Sequence, residues 1–331
     1  MIQATTNFEQ QQAEASARTV LRWVLAHEPP VVFEEAAAEF GRLLLEKTDG
    51  ELAARLIMAD EFAAARGQDF VGRTELVEMV QRGEIEMAHC YTAALGTVHG
   101  PLQAIELPFL FQSYEHAERV FEGPVAQRLM SGLPGVGLRG IGFAYSGGYR
   151  VIATRGRALR RLEDFRGLRL RTAGNPAPAA LHASLGASAV GAPLVDIRRL
   201  VEEDRIDGCE LTRVRFRALG LETVFDTMND TGHSLFTTMT VANEAWFRAL
   251  PEKHQSAVVE AGVAACRIER RTAIEEEART KESCPLAQVT LDRDSEAGLR
   301  ERARAVREQL APRFGSELVQ AILDQADVAT A

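Results

Sequence analysis

The sequence predicts an α/β protein of two lobes, and three observations carry that expectation. The chain has 331 residues, too many for one compact core and about right for two lobes of ordinary domain size. Strand-like and helix-like stretches alternate along it, which is the pattern of a parallel sheet covered by helices. The alternation then runs a second time, after a Ser-Gly-Gly-Tyr stretch at 146–149.

Residues 1–17 are rich in Gln, Ala, Thr and Ser and read as a flexible lead-in. TVLRWVLAH is a short apolar run, a first strand that stops at Glu28-Pro29-Pro30. VFEEAAAEFGRLLLEKTDG has apolar residues at helical spacing and a stop at Asp49-Gly50. ELAARLIMAD is a second strand. TELVEMVQRGEIEMAHCYTAALG reads as helix, a glycine stop at Gly83, and strand. IELPFLF is apolar and bounded by Pro108, and YEHAERVFEG and VAQRLMSGL are helices. LRGIGFAYSGGYRVIATRG reads as two strands around Ser146-Gly147-Gly148.

The second run begins with the strand FRGLRLRTA, the helix PAPAALHASLG and the short strand SAVGAPL. DIRRLVEEDRIDGCE is helix then strand, and SLFTTMTVANEAWFRAL is strand then helix. One long helix is expected from Pro251 to about Glu282, and the tail from Asp294 to Ala326 is helical again. The chain is expected to change lobes near Ser146-Gly147-Gly148 and near Asp230-Thr231-Gly232. That gives one lobe of 18–147 plus 232–272 and another of 148–231 plus 273–331.

Apolar residues make up 46% and charged residues 26%, an ordinary globular balance rather than a disordered one. The net charge of -9 argues against a nucleic-acid partner. It does not argue against an anionic ligand, which feels local charge. Cys90, Cys209, Cys266 and Cys284 form no CxxC pair and no metal-ligand spacing, and whether Cys266 bridges Cys284 stays open. No apolar run reaches the roughly 18 residues that span a bilayer. The polar start is not a secretory signal, so either a signal has been removed or the chain stays in the cytoplasm.

For chemistry, the arginines between 150 and 171 are the first feature to weigh. Arg169 and Arg171 alternate with Leu168 and Leu170 along a strand, so the two arginines share a face. A guanidinium at a strand end can grip a carboxylate with two parallel hydrogen bonds, although a lone arginine is ordinarily solvated. SGGY matches no phosphate-cradling glycine pattern, and Ser146 lacks a nucleophile elbow. His233 in DTGHS reads as a loop or core residue. No metal, organic cofactor or catalytic residue is proposed by the spacing.

Taken in order, the segments resemble the solute-binding proteins of TRAP-type transporters, the DctP-type family, over roughly residues 20–290. The segments that carry the likeness are TELVEMVQRGEIEMA, ELPFLF with YEHAERVFEG, GFAYSGGYR, LEDFRGLRLRTAGNPAPAALHASLGA, RIDGCE and NEAWFRALPEKHQSAVVEAG. ELPFLF is similar to a family strand. The resemblance implies a two-lobed periplasmic-binding-protein-like fold with a ligand cleft between the lobes. It implies a small organic carboxylate (dicarboxylate, sugar acid or keto acid) held by an arginine clamp and lobe closure. Arg171 closes the GLRLR strand and is the implied primary contact, with Tyr149-Arg150 the implied Gly-aromatic-Arg contact. Arg73 falls near a ligand-lining position, and Cys209 and Glu210 fall at the cleft. Thr92, Glu28 and His233 complete the candidate set.

The chain departs from the pattern at Leu211, where the family often has Asn, and at Arg198 and Asp204, which replace a tyrosine and a glycine. The expected role is a non-enzymatic, periplasmic, monomeric uptake protein that works with TRAP membrane subunits. A cytoplasmic ligand sensor, or an enzyme on the same scaffold, is the alternative.

Overall fold

The computed structural model describes residues 19–25, 30–68 and 70–326; the lead-in at 1–17 and Glu28 lie outside the described residues. In chain order the strands are β1 (Thr19–Leu25), β2 (Leu52–Met58), β3 (Met87–Tyr91), β4 (Leu138–Thr154) and β5 (Arg169–Thr172). They continue with β6 (Ser188–Gly191), β7 (Gly208–Thr212), β8 (Thr227–Asn229), β9 (Leu235–Asn243) and β10 (Ala287–Val289). Packing divides the chain into two compact units. The first holds the described residues through His99, with Ala126–Ser146 and Thr237–Ala273; the second holds Gly100–Val125, Gly147–Phe236 and the described residues from Ile274. Residues 100–125, grouped with the first lobe in the sequence reading, thus cluster with the second unit.

In the first unit β1 pairs in parallel with β2 on one side and β3 on the other, and β3 pairs antiparallel with β9. A parallel pair needs a crossover, and the helix Glu34–Lys47 supplies it. That helix buries Ala36, Phe40 and Leu44, one stripe at a spacing of four, in the cluster that contains Leu21, Trp23 and Leu25 of β1. Trp23 meets Phe33 and Phe40 edge-on at 5.1 and 4.4 Å between ring centroids. The helix stops because Asp49 and Gly50 turn left-handed, at φ 53° and 78°, and the Gly50 N–H bonds back to Leu45 O.

In the second unit β5 pairs in parallel with both β6 and β7. Arg150–Thr154 of β4 pairs antiparallel with β7, and β8 joins β4 to β10. Alternation sorts the side chains into two apolar clusters. Val151, Ala153, Cys209 and Leu211 fall in one, with Ile197 and Leu200; Ile152, Leu170 and Leu181 fall in the other, with Leu299 and Ala303. The long helix spans Glu252–Glu282, and the tail forms two helices, Arg293–Phe314 and Ser316–Leu323, broken at Gly315.

Two elements differ from expectation. IELPFLF is not a strand: Gly100–Glu106 is 3-10 helix and the residues after it are irregular. Pro108 has no N–H to give a ladder, and Phe109 sits at φ 49°, off the extended region. The Phe109 N–H instead donates to His233 O at 2.7 Å. The second difference is that β4 is one strand of 17 residues rather than two. Gly147 and Gly148, at φ 83° and 90°, bend it without ending it. None of the four cysteines forms a disulfide, so Cys266 and Cys284 are not bridged.

A side chain at Gly148 would be strained twice. Its φ favours glycine, and a Cβ there would overlap the Tyr114 hydroxyl and the Glu277 carboxylate. Gly148→Ala is expected to destabilise the protein by about 2 kcal/mol or more. Urea unfolding measures this, and an unchanged midpoint would contradict the packing described.

Candidate functional site

β5 and β7 run parallel, with Arg171 near the C-terminal end of β5 opposite Cys209 of β7, and Arg150 of antiparallel β4 pairs with Thr212 at the C-terminal end of β7. In open α/β sheets, ligands bind outside the carboxyl ends of the strands. Three sequence candidates therefore gather at one edge of the second unit: Arg171, Arg150 and Glu210. The register also decides which face each occupies. Arg171 pairs with Cys209 and Val190, and Arg150 shares a face with Thr212 and Glu210. Arg171 and Glu210 thus leave the sheet on opposite faces.

Arg171 is 2% exposed, and its Nε donates to Ala192 O at 2.8 Å, with Nη2 donating to the same oxygen. The carbonyl fixes the plane of the guanidinium. Its neighbour Arg169 is different: it faces half-outward and pairs with Asp204 and Asp207. Asp204, where the family's glycine was expected, is left-handed at φ 52°. Aspartate tolerates that conformation better than most side chains, so the turn survives the substitution. Arg198 is engaged on the surface with Thr223 Oγ1 and Gly220 O. Leu211 is buried among the apolar residues around Ile197 and Leu200.

Arg150, also 2% exposed, is enclosed by opposite charge. Its Nη2 lies 3.1 Å from Glu106 Oε2 and its Nη1 3.6 Å from Glu210 Oε1. Its guanidinium carbon stands 4.0 Å from the centre of the Phe236 ring. Asn175 Nδ2 donates to the same Glu106 oxygen at 3.3 Å. On the far side of Glu210, His233 Nε2 lies 3.1 Å from Oε2, and His233 Nδ1 is 2.8 Å from the Thr231 hydroxyl. His233 is thus a buried partner of Glu210. His182, on the helix Pro176–Ser184, is fully buried with Nε2 3.6 Å from Glu210 Oε2.

Burial pushes the Glu210 carboxyl up, but the His233 hydrogen bond and the charge of Arg150 outweigh it and hold the group at about 2. Burial pushes His182 down to about 4, against the attraction of Glu210. His182 is therefore neutral at neutral pH, and Arg150 supplies the opposing charge. Burial pushes the Cys209 thiol up to about 12, against the opposing pull of the Arg171 charge and with a smaller upward contribution from Glu210. Cys209 packs with the apolar cluster and is not a poised nucleophile.

The other candidates lie elsewhere. Tyr149 turns to the opposite side of β4 from Arg150, packing on Tyr114 at 5.0 Å, with its N–H on Glu277. In the first unit, Arg73 opens the helix Arg73–Gln81 and stacks over Tyr91 at 4.5 Å. Thr92 is buried, with its hydroxyl 2.6 Å from that of Thr237. Sequence reasoning passed over Glu106 and His182. The available signal was a carboxylate inside the apolar run IELPFLF and a histidine beside Leu181 on a helix that is otherwise Ala- and Leu-rich. Among the described residues no cluster of His, Cys, Asp and Glu could hold a metal.

Comparison with known proteins identifies the class of this protein. Residues 26–313 match the DctP family, described as bacterial extracellular solute-binding protein, family 7. The chain belongs to that family, the solute-binding proteins of TRAP-type transporters. Its members are transport proteins rather than enzymes, are periplasmic, and work with membrane components. The 2,3-diketo-L-gulonate-binding periplasmic protein YiaO of Escherichia coli is 26% identical over 73% of this chain and 71% of that protein. The C4-dicarboxylate-binding periplasmic protein DctP of Rhodobacter capsulatus is 22% identical over 87% of this chain and 85% of that one. The crystal structure of the sugar acid binding protein DctPAm from Advenella mimigardefordensis with galactonate has a TM-score of 0.84 at 20% identity. It covers 95% of this chain and 99% of that one, and shows the fold. No helix among the described residues is long and apolar enough to cross a membrane.

The low His182 value has a stability consequence. The unfolded chain takes up a proton near 6.5 and the folded one near 4, so acid favours unfolding between those values. The contribution is full above about pH 6.5 and falls by about 3 kcal/mol as the pH drops to 4. Glu210 stays ionised throughout this window. His182→Phe is expected to lose that much less stability between pH 7 and pH 4 in urea titrations. Equal losses in the two proteins would refute a buried neutral His182.

Proposed function

We propose that this chain captures a small organic acid in the periplasm, as a monomer, and delivers it to TRAP membrane subunits, with Arg171 as the primary contact for the carboxylate. The observation that carries this reading is the state of Arg171. It is a buried guanidinium at the carboxyl end of a parallel strand, its plane fixed by a backbone carbonyl. A planar fork held in one orientation suits a carboxylate, which it can grip through two parallel hydrogen bonds. The names of YiaO and DctP, and the galactonate in DctPAm, all refer to carboxylates.

Arg150 takes a different part in this reading. With Glu106 and Glu210 against it, its charge is already offset, and it holds the edge in shape around the ligand. Arg171→Ala is expected to weaken binding by about 2–5 kcal/mol, the effect of removing one partner of a buried charge pair. Arg171→Lys is expected to weaken it too, because an ammonium cannot reproduce the fork. A thermal-shift screen of organic acids identifies the ligand, and calorimetry on the variants tests the residue. Binding by Arg171→Ala within about threefold of the unaltered protein would remove Arg171 from the site.

A further inference from the structure

Residues 155–166 carry five arginines and two carboxylates in a chain whose net charge is -9. All five arginines are exposed. Elsewhere Arg42, Arg82 and Arg199 are each held by a nearby carboxylate. In this segment only Arg161 has such a partner, Asp292 at 3.7 Å. Among the described residues no carboxylate lies within ion-pair distance of Arg155, Arg157, Arg160 or Arg166. The carboxylates nearby are engaged otherwise. Asp164 Oδ2 accepts the N–H of Arg160 and of Arg161, each at 2.8 Å. Asp226 accepts from the Gly156 N–H and the Thr227 hydroxyl. Asp207, which feels the charge of Arg157, is bonded to Arg169.

These arginines border a cavity. Arg157 Nη1 donates to the carbonyls of Asp164 and Arg166, at 3.4 and 3.1 Å, which lays it against the turn that carries Arg166. Arg166, Arg302 and Glu163 line a cavity of about 270 Å3 together with Ser184 and Gly186. Its walls are held by close packing. The Arg166 stem lies over Gly186, with Cγ 3.2 Å from where a Cβ would stand, and Leu162 fills the space above Gly298. Arg302 donates one N–H to the Ser184 carbonyl and keeps its other donors available, with no carboxylate partner among the described residues. The lining thus sets two positive groups against one negative, and Glu163 is exposed and unpaired.

We propose that this face of the second unit is a docking site for an acidic polypeptide segment, with one carboxylate seated between Arg166 and Arg302 and others meeting Arg157 and its neighbours. A guanidinium takes a carboxylate through two parallel hydrogen bonds, and arginine is the only cation in the patch. The kind of anion follows from size. An extended anionic surface such as a bilayer would meet the whole molecule, whose net charge of -9 repels it. A short segment feels only the charge within a screening length, and there the unpaired arginines prevail. A lone small oxyanion would engage Arg166 and Arg302 and leave Arg155, Arg157 and Arg160 unpaired. The face is separate from the carboxylate site proposed above. Arg166 precedes β5, whereas Arg171 lies near the end of that strand, so either site can fail without the other.

The test uses the full chain and a fluorescent octaglutamate peptide, with octaglutamine, inorganic phosphate and phosphatidylglycerol vesicles as comparisons. Anisotropy is expected to show octaglutamate binding at low salt and octaglutamine not binding, with the affinity falling as salt is raised. Arg166→Glu and Arg302→Glu are each expected to weaken octaglutamate binding by about tenfold or more. Glu163→Gln removes the opposing charge and is expected to strengthen it by about threefold. Arg42→Glu, at a paired arginine of the first unit, is expected to leave it unchanged. Absence of octaglutamate binding at low salt overturns the site. So does binding that both Arg166→Glu and Arg302→Glu leave intact, or that Arg42→Glu weakens as much. Phosphate or the vesicles bound at Arg166 and Arg302 as tightly as the peptide would overturn the polypeptide as occupant. Should Arg302→Glu fail to fold, Glu163→Gln decides: tighter binding supports the site, and unchanged binding overturns it.

Discussion

A guanidinium taken out of water carries a desolvation penalty of several kcal/mol, and only well-placed opposite charge and hydrogen bonds offset it. Arg150 is in that position, and much of the second unit is arranged around it. Glu106 comes from the 3-10 segment, Glu210 from β7 and Phe236 from β9, and all three converge on one side chain. Because Glu210 is held ionised, it in turn fixes His233, and the Phe109 N–H is tied to the His233 carbonyl. One buried charge thus links four segments that are distant along the chain. That linkage holds the side chains of this edge in place, and side chains locked by their neighbours have less freedom left to lose on binding.

The two arginines that resemble one another in the sequence meet different physical fates. Arg150 is surrounded by carboxylates on one face of the sheet. Arg171, on the other face, is oriented by a carbonyl.

Backbone requirements account for features that side-chain chemistry does not. Gly147 and Gly148 let β4 bend while remaining one strand, and the space at Gly148 is taken by Tyr114 and Glu277. Asp204 occupies a left-handed position where the family pattern has glycine, and its carboxylate gains an ion pair with Arg169. The substitution changes the chemistry of a turn and leaves its path intact.

The order and type of most elements were legible because they are local. The stripe of Ala36, Phe40 and Leu44, the stops at Gly50 and Gly186, and the alternation in GLRLR each depend on residues a few positions apart. The family likeness is of the same kind, a succession of short segments in order, and so is the position of Arg171 at a strand end. Local pattern misled at ELPFLF, where the chain leaves a 3-10 helix at Glu106 and runs irregularly past Pro108, which has no N–H for a ladder, and at β4, where two glycines suggested a break. The partners of the site were out of reach for another reason. Glu106 and Arg150 are 44 residues apart, and Glu210 and His233 are 23 apart across different elements. Whether Arg171 and Glu210 share a face depends on strand register, and a shift of one residue reverses the answer. Periodicity is written along the chain, whereas pairing of buried charge is settled only where distant segments meet, and tertiary structure alone decided it.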